Sequence, residues 1–190
     1  RQWLDRGLGD IRVSVNLSAH QFRKGNLADV VDRILALTGL PAELLELELT
    51  ESLIMEDMDQ NIALLERLRA RGVGLSLDDF GTGFSSLAYL KRFPIDFLKI
   101  DRSFVSGLDG PEVGDDVGDD TAIVTGTVAL AHSLGLRVVA EGVETESQLK
   151  RLQRLQCDMA QGFYFSEPVT DAEFDRFLGR RFSETPISPN

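Results

Sequence analysis

Six short apolar or alternating segments, at residues 11–15, 44–49, 73–77, 96–100, 137–140 and 160–165, are each followed by a longer stretch of helical periodicity. No other feature constrains the fold as strongly. A strand that returns parallel to its predecessor needs a crossover of helical length, so this rhythm predicts an α/β fold with a parallel sheet. Leu27, Val30, Val31, Ile34 and Leu35 form one helical stripe, with Asn26 as the expected N-cap and Gly39 as the stop. Ile62, Leu65 and Leu68 repeat the pattern before Gly72. Later helices are expected over residues 85–91, 121–134, 145–155 and 171–178, the last three opening on Thr or Asp.

Six strand-helix units are two short of a closed eight-fold barrel, and buried unpaired sheet edges are a liability. The chain opens on Arg1 inside what reads as a helix ending at Gly7 to Gly9, so residues upstream of Arg1 are expected. The residues from Ser183 to Asn190, with two prolines, read as a flexible tail to a single domain over residues 1–182.

The charge balance narrows the function. With 31 acidic and 20 basic residues the formal net charge is −11. That argues against a DNA or RNA duplex as partner, because affinity for a phosphate backbone comes from many Lys and Arg contacts. A small phosphate ligand stays possible where cations bridge it. A lone cysteine, Cys157, excludes an internal disulfide and a Cys-based zinc site and fits a reducing compartment. No apolar run approaches the roughly 18 residues of a membrane helix, and no signal pattern opens the chain. The expected location is the cytoplasm, including the cytoplasmic part of a membrane-anchored protein.

Polar residues gather where the strands end. The first strand ends in Asn16, and the second alternates Leu45, Leu47 and Leu49 with Glu46, Glu48 and Thr50, which puts both glutamates opposite the leucines. The third runs into Asp78 and Asp79, the fourth into Lys99 and Asp101, and the fifth into Glu141 and Glu144. The sixth is expected to carry Gln161 near its centre. In a strand-helix barrel these positions converge at the mouth, where catalysis is found. There the five carboxylates of Glu48, Asp78, Asp79, Glu141 and Glu144 are prohibitive in a low dielectric unless cations neutralise them, and such oxygen ligands select Mg²⁺ or Mn²⁺. Paired aspartates suit two ions that activate water and stabilise a leaving oxygen in phosphoester cleavage.

Each residue also has a plainer reading. Asn16 could be a turn former, Glu48 and Glu51 a solvated strand edge, and Asp78-Asp79-Phe80-Gly81 an Asx-rich turn. Lys99 could serve stability alone, and Gln161 could satisfy buried backbone. His20 and His132 lack ligand spacing and read as structural, Cys157 as packing, and Trp3 as core. Phe163 and Tyr164, beside Gln161, read equally as packing or as a surface for a base. The acidic stretch between Phe104 and Thr121 carries a duplicated Val-Gly-Asp-Asp and reads as a solvated loop.

In order, Val15-Asn16-Leu17-Ser18, Glu46-Leu47-Glu48-Leu49-Thr50-Glu51-Ser52, Asp78-Asp79-Phe80-Gly81-Thr82-Gly83-Phe84-Ser85-Ser86-Leu87, Lys99-Ile100-Asp101, Glu141-Gly142-Val143-Glu144-Thr145 and Gln161-Gly162-Phe163 closely resemble the EAL-domain family of bacterial cyclic di-GMP phosphodiesterases. The resemblance runs over about residues 1–178 and rests on six motifs in order. It implies a modified (β/α)8 TIM-like barrel, incomplete here with about six units, and two divalent cations, Mg²⁺ or Mn²⁺. It also implies hydrolysis of cyclic di-GMP to linear pGpG, a homodimer, and attachment to other domains of a larger signalling protein. By the same resemblance Asn16, Glu48 and Asp78 are ligands of a first metal, and Asp78 and Asp79 of a second. Glu141 is a second-metal ligand or general base, Lys99 orients or activates the attacking water, and Glu144 completes the catalytic shell. Gln161 and Asp101 are substrate-binding, and Glu51 holds the loop from Asp79 to Ser86.

The chain departs from the family pattern in places. The Glu-Ala-Leu tripeptide that names the family is not among these residues, and its metal-binding glutamate is expected upstream. The acidic loop is long, and Glu167 stands where the family often has a basic or neutral residue. Two other functions are compatible with the motifs: a non-catalytic cyclic di-GMP receptor and a dimerisation platform.

Overall fold

The computed structural model describes residues 1–7, 10–55, 57–81, 90–109 and 119–181, with side chains through residue 178. Six parallel strands pair in sequence order, β1 (Val13–Asn16), β2 (Leu45–Thr50), β3 (Gly74–Phe80), β4 (Phe97–Ile100), β5 (Arg137–Ala140) and β6 (Met159–Ala160). With helices alternating between them they form a curled half-barrel. Its first and last helices meet: Trp3 packs on Phe174 at 4.9 Å, and Trp3 Nε1 donates to Asp175 at 2.6 Å.

Strand alternation divides the side chains. Leu47, Leu49, Leu75, Leu77, Leu98, Ile100, Val138 and Ala140 face the helices and join one buried core with Val31, Leu65, Leu68, Val105, Val124, Val128 and Leu152. Burial of apolar area on this side is the main favourable term. The other face carries Glu46, Glu48, Ser76 and Lys99, all buried and all polar. Toward the starts of the strands, Arg12 meets Glu46 at 3.5 Å, and Arg12 and Arg137 lie over Phe97 at 4.9 and 4.2 Å from the ring centre. Glu46 is thus neutralised by Arg12 at the far end of the strands, away from Lys99.

The helix signals hold in part. Gly39 closes helix Leu27–Thr38 in the left-handed conformation (φ 63°), where a Cβ is disfavoured, but Asn26 makes no side-chain cap bond. Helix Glu146–Arg154 opens on the expected Thr145, in a capping box with Gln148. Helix Asp171–Arg181 is capped by Thr170 rather than Asp171: Glu173 Oε2 accepts the Thr170 N–H and hydroxyl at 2.9 and 2.8 Å. Helices Ala19–Arg23, Glu51–Met55 and Arg102–Ser106 are too short for an apolar period to reveal them. The expected helix at 85–91, the acidic loop and the tail fall largely or wholly outside the described residues. Among the described residues no helix is long and apolar enough to cross a membrane.

One strand differs from expectation. The sixth is two residues long and ends at Ala160, so Gln161 lies just beyond it rather than at its centre. The cause is Gly162 (φ 156°), where the chain folds onto the preceding turn: Val143 N–H donates to Gln161 O at 3.0 Å and Tyr164 N–H to Val143 O at 2.9 Å.

Candidate active site

Parallel pairing brings the strand ends into one row. Asn16 stands opposite Glu48, and Thr50 opposite Asp78. The β3–β4 register shifts between Leu77 and Phe80, and Asp79 has φ 56°. Strict alternation would send Asp78 and Asp79 to opposite faces, so this irregularity re-aims one of them, as bulges beside functional sites do. Asp79 N–H donates to Asp78 Oδ1 at 3.0 Å.

Lys99 is the centre of the row. Its Nζ lies 2.5 Å from Glu141 Oε1, 2.7 Å from Glu48 Oε2 and 3.5 Å from Asp78 Oδ1. Four different strands or strand ends therefore supply one ammonium and three carboxylates. Burial opposes the Lys99 charge, but the hydrogen bonds to Glu141 and Glu48 outweigh it and hold the group above its ordinary range. Burial also pushes the Glu141 carboxyl above its usual range against the pull of Lys99, with Asp78 and Glu48 adding to the rise. Asp79 is raised by burial and then by the charges of Asp78 and Asp101.

The rim continues the row. Gln161 Nε2 donates to Glu141 Oε1 at 2.8 Å. Asp101 caps helix Arg102–Ser106, accepting the Ser103 N–H at 3.0 Å and its hydroxyl at 2.5 Å, and the Ser103 bonds hold its carboxyl below the usual range. Asp101, Arg102, Glu141, Glu144, Gln161 and Phe163 line one cavity of about 390 Å³. A larger hollow of about 500 Å³ lies among the helices against Phe22, Leu53, Asn61 and Arg67, and none of the strand-end carboxylates lines it.

Residues 1–168 match the family model described as the EAL domain. The chain belongs to the EAL-domain family. This EAL domain is 50% identical over 169 residues to the Pseudomonas aeruginosa protein "Bifunctional diguanylate cyclase/cyclic di-GMP phosphodiesterase MucR", covering 89% of this chain and 24% of that protein. Among solved structures, "PaMucR Phosphodiesterase, c-di-GMP complex" superposes with a TM-score of 0.83 at 47% identity, covering 91% of this chain and 68% of that one. The Klebsiella pneumoniae "BlrP1 pH 9.0 manganese/cy-diGMP complex" superposes at 0.74 and 32% identity, covering 87% and 41%. The EAL domain spans about a quarter of the length of the curated relatives it matches.

Within the EAL domain the expected residues occupy distinct places. Glu48, Asp78, Lys99, Glu141 and Gln161 are joined by direct contacts. Asn16 is exposed at the end of the β1 edge strand, and Glu51 opens helix Glu51–Met55 one residue past β2. His132 pairs with Asp158 at 2.9 Å, and Cys157 packs against the core, as their structural reading expects; His20 lies exposed on its short helix. Phe163 and Tyr164 are exposed beside Gln161.

Among the described residues no three of His, Cys, Asp and Glu stand in metal-ligand geometry. The donor set still suits hard cations. All its groups are oxygens, and Glu48, Asp78, Asp79 and Glu141 outnumber the one ammonium.

Two residues that the motifs did not single out also belong here. Arg102 lines the cavity, and the Cβ of Arg102 closes over Gly142, where an added Cβ would overlap it. Gln148 is a buried polar side chain in the first turn of its helix, and its signal is the Thr145-x-x-Gln148 capping pattern.

Proposed function

We propose that this EAL domain hydrolyses cyclic di-GMP at one phosphodiester to linear pGpG, with divalent cations, Mg²⁺ or Mn²⁺, as cofactors. The observation that carries the reading is the buried Lys99 joined to Glu48, Asp78 and Glu141 at the C-terminal ends of parallel strands. Membership of the EAL family and the names of its relatives support the substrate.

Asn16, Glu48, Asp78 and Asp79 would hold the cations, at a place where the negative excess calls for them. When bound, the ions supply Lewis-acid polarisation of the phosphoryl oxygens and counter-charge for the departing ribose oxygen. Lys99 keeps its proton and presents a fixed positive charge toward the scissile phosphate. Glu141, raised by burial and oriented by Gln161, accepts the proton of the attacking water as the new O–P bond forms and the P–O3′ bond breaks. That proton then passes to the 3′ oxygen, so no covalent enzyme intermediate is needed. Glu144 and Asp101 complete the polar wall, and Phe163, 61% exposed, offers a ring for guanine stacking. Glu51 would hold the loop from Asp79 to Ser86, of which residues 82–86 lie outside the described ones.

A second reading is a receptor that binds the nucleotide without cleaving it. Product chromatography after incubation with cyclic di-GMP and Mn²⁺ separates the two. Linear pGpG means hydrolysis, and retained but uncleaved nucleotide means a receptor. A cytoplasmic location, a homodimer and attachment to further signalling domains belong to the same proposal.

A further inference from the structure

The turn from Glu141 to Glu144 is held from behind by a residue outside the acidic mouth. Gln148, 3% exposed, accepts the Glu144 N–H at 2.7 Å and the Thr145 N–H at 3.1 Å through Oε1. Its Nε2 donates to Asp109 Oδ2 at 2.8 Å. Asp109 Oδ1 accepts the Thr145 hydroxyl at 2.7 Å, and Thr145 Oγ1 accepts the Gln148 N–H at 3.1 Å, closing the ring. A capping box requires only the reciprocal bonds between Thr145 and Gln148. The bonds to Glu144 and Asp109 exceed it.

These extra bonds join two strand ends. Asp109 closes the turn Gly107–Asp109, which follows helix Arg102–Ser106 and so descends from Lys99 at the end of β4. Glu144 descends from β5 through Glu141, which meets Lys99 and Gln161. A buried amide satisfied on both sides fixes a unique geometry, because leaving either side unpaired is costly.

We propose that Gln148, clamped by Asp109, is a positioning residue that sets the Glu141 to Glu144 turn against Lys99. The inference rests on the proposed hydrolysis. Gln148 touches none of the reacting atoms and acts through the Glu144 backbone.

The test exchanges donor for acceptor in the full chain. In Gln148→Glu the carboxylate can still accept both N–H groups and cap the helix, but its second oxygen faces Asp109, and two carboxylates at hydrogen-bond distance repel. In the double variant Gln148→Glu with Asp109→Asn, the amide introduced at position 109 donates to the carboxylate introduced at position 148, and complementarity returns. The single variant is expected to lose at least about tenfold in kcat with KM within about threefold, and the double variant to recover to within about threefold of the parent. An unchanged kcat in Gln148→Glu, or a loss that Asp109→Asn leaves in place, overturns the proposal. If the parent protein cleaves no cyclic di-GMP, the hydrolysis reading fails separately. Exchange of the Glu144 and Thr145 amide hydrogens then decides: faster exchange in the single variant, reversed in the double, supports positioning, and unchanged exchange overturns it.

Discussion

Lys99 Nζ lies 2.7 Å from Glu48 Oε2, in an ion pair whose side chains are 4% and 8% exposed. With divalent cations chelated away, removing the ammonium would leave Glu48, Asp78 and Glu141 facing one another with no counter-charge. Breaking a buried pair in this way costs far more than the pair contributes net, because the abandoned charges stay desolvated. Lys99→Met is therefore expected to lower unfolding stability by roughly 3–5 kcal/mol, read from urea denaturation. A loss below about 1 kcal/mol would mean that the carboxylates find other partners.

Glu141→Gln keeps the shape of the side chain and its contact distance to Gln161 but cannot accept a proton. Turnover is expected to fall by about 10²–10⁴-fold, while cyclic di-GMP binding, measured by calorimetry without turnover, stays close to that of the parent. Equal turnover by the variant would remove Glu141 from the reaction.

At Gly162 (φ 156°) an added Cβ would fall onto the backbone N and O of Val143. Backbone cannot yield as a flexible side chain does. Gly162→Ala is expected to cost about 2–4 kcal/mol and to separate Gln161 from Glu141, lowering turnover as well. Melting temperature and kcat measured on the same sample check both effects, and a variant matching the parent in both would show that the turn relaxes freely.

The strand ends are legible in the sequence because each apolar segment carries a polar residue at or near its end, at Glu48, Asp78, Lys99 and Glu141, a pattern that core packing alone does not produce. The contacts between them are not. Nothing in local spacing indicates that Lys99 meets Glu48, Asp78 and Glu141 at once, since that follows from the parallel register of β2 to β5. Phe163 and Phe165 continue the alternation and so extend the expected sixth strand through Gln161. The structure ends β6 at Ala160 because the Gly162 backbone closes on Val143. Gln148 escapes a reading of the motifs because its capping pattern explains a helix start and hides the bonds to Glu144 and Asp109, which depend on the fold around it.

Burial pushes the Cys157 thiol up from 9.0 to about 11, with the Asp158 charge adding to the rise. A raised folded-state value means that the folded chain favours the protonated thiol. The resulting stability is fully present below about pH 9 and is lost as the pH rises through about 11. Its size is on the order of 2 kcal/mol. The difference in urea midpoint between the parent and Cys157→Ala should shrink across that window, and a constant difference would show the thiol to be solvated in the folded state.

The most direct measurement incubates the protein with cyclic di-GMP and Mn²⁺ or Mg²⁺, with and without a chelator, and follows the nucleotides by chromatography. Metal-dependent hydrolysis gives linear pGpG that disappears with the chelator. Cyclic di-GMP left intact in the presence of either ion, or product formed equally with the chelator present, would contradict it.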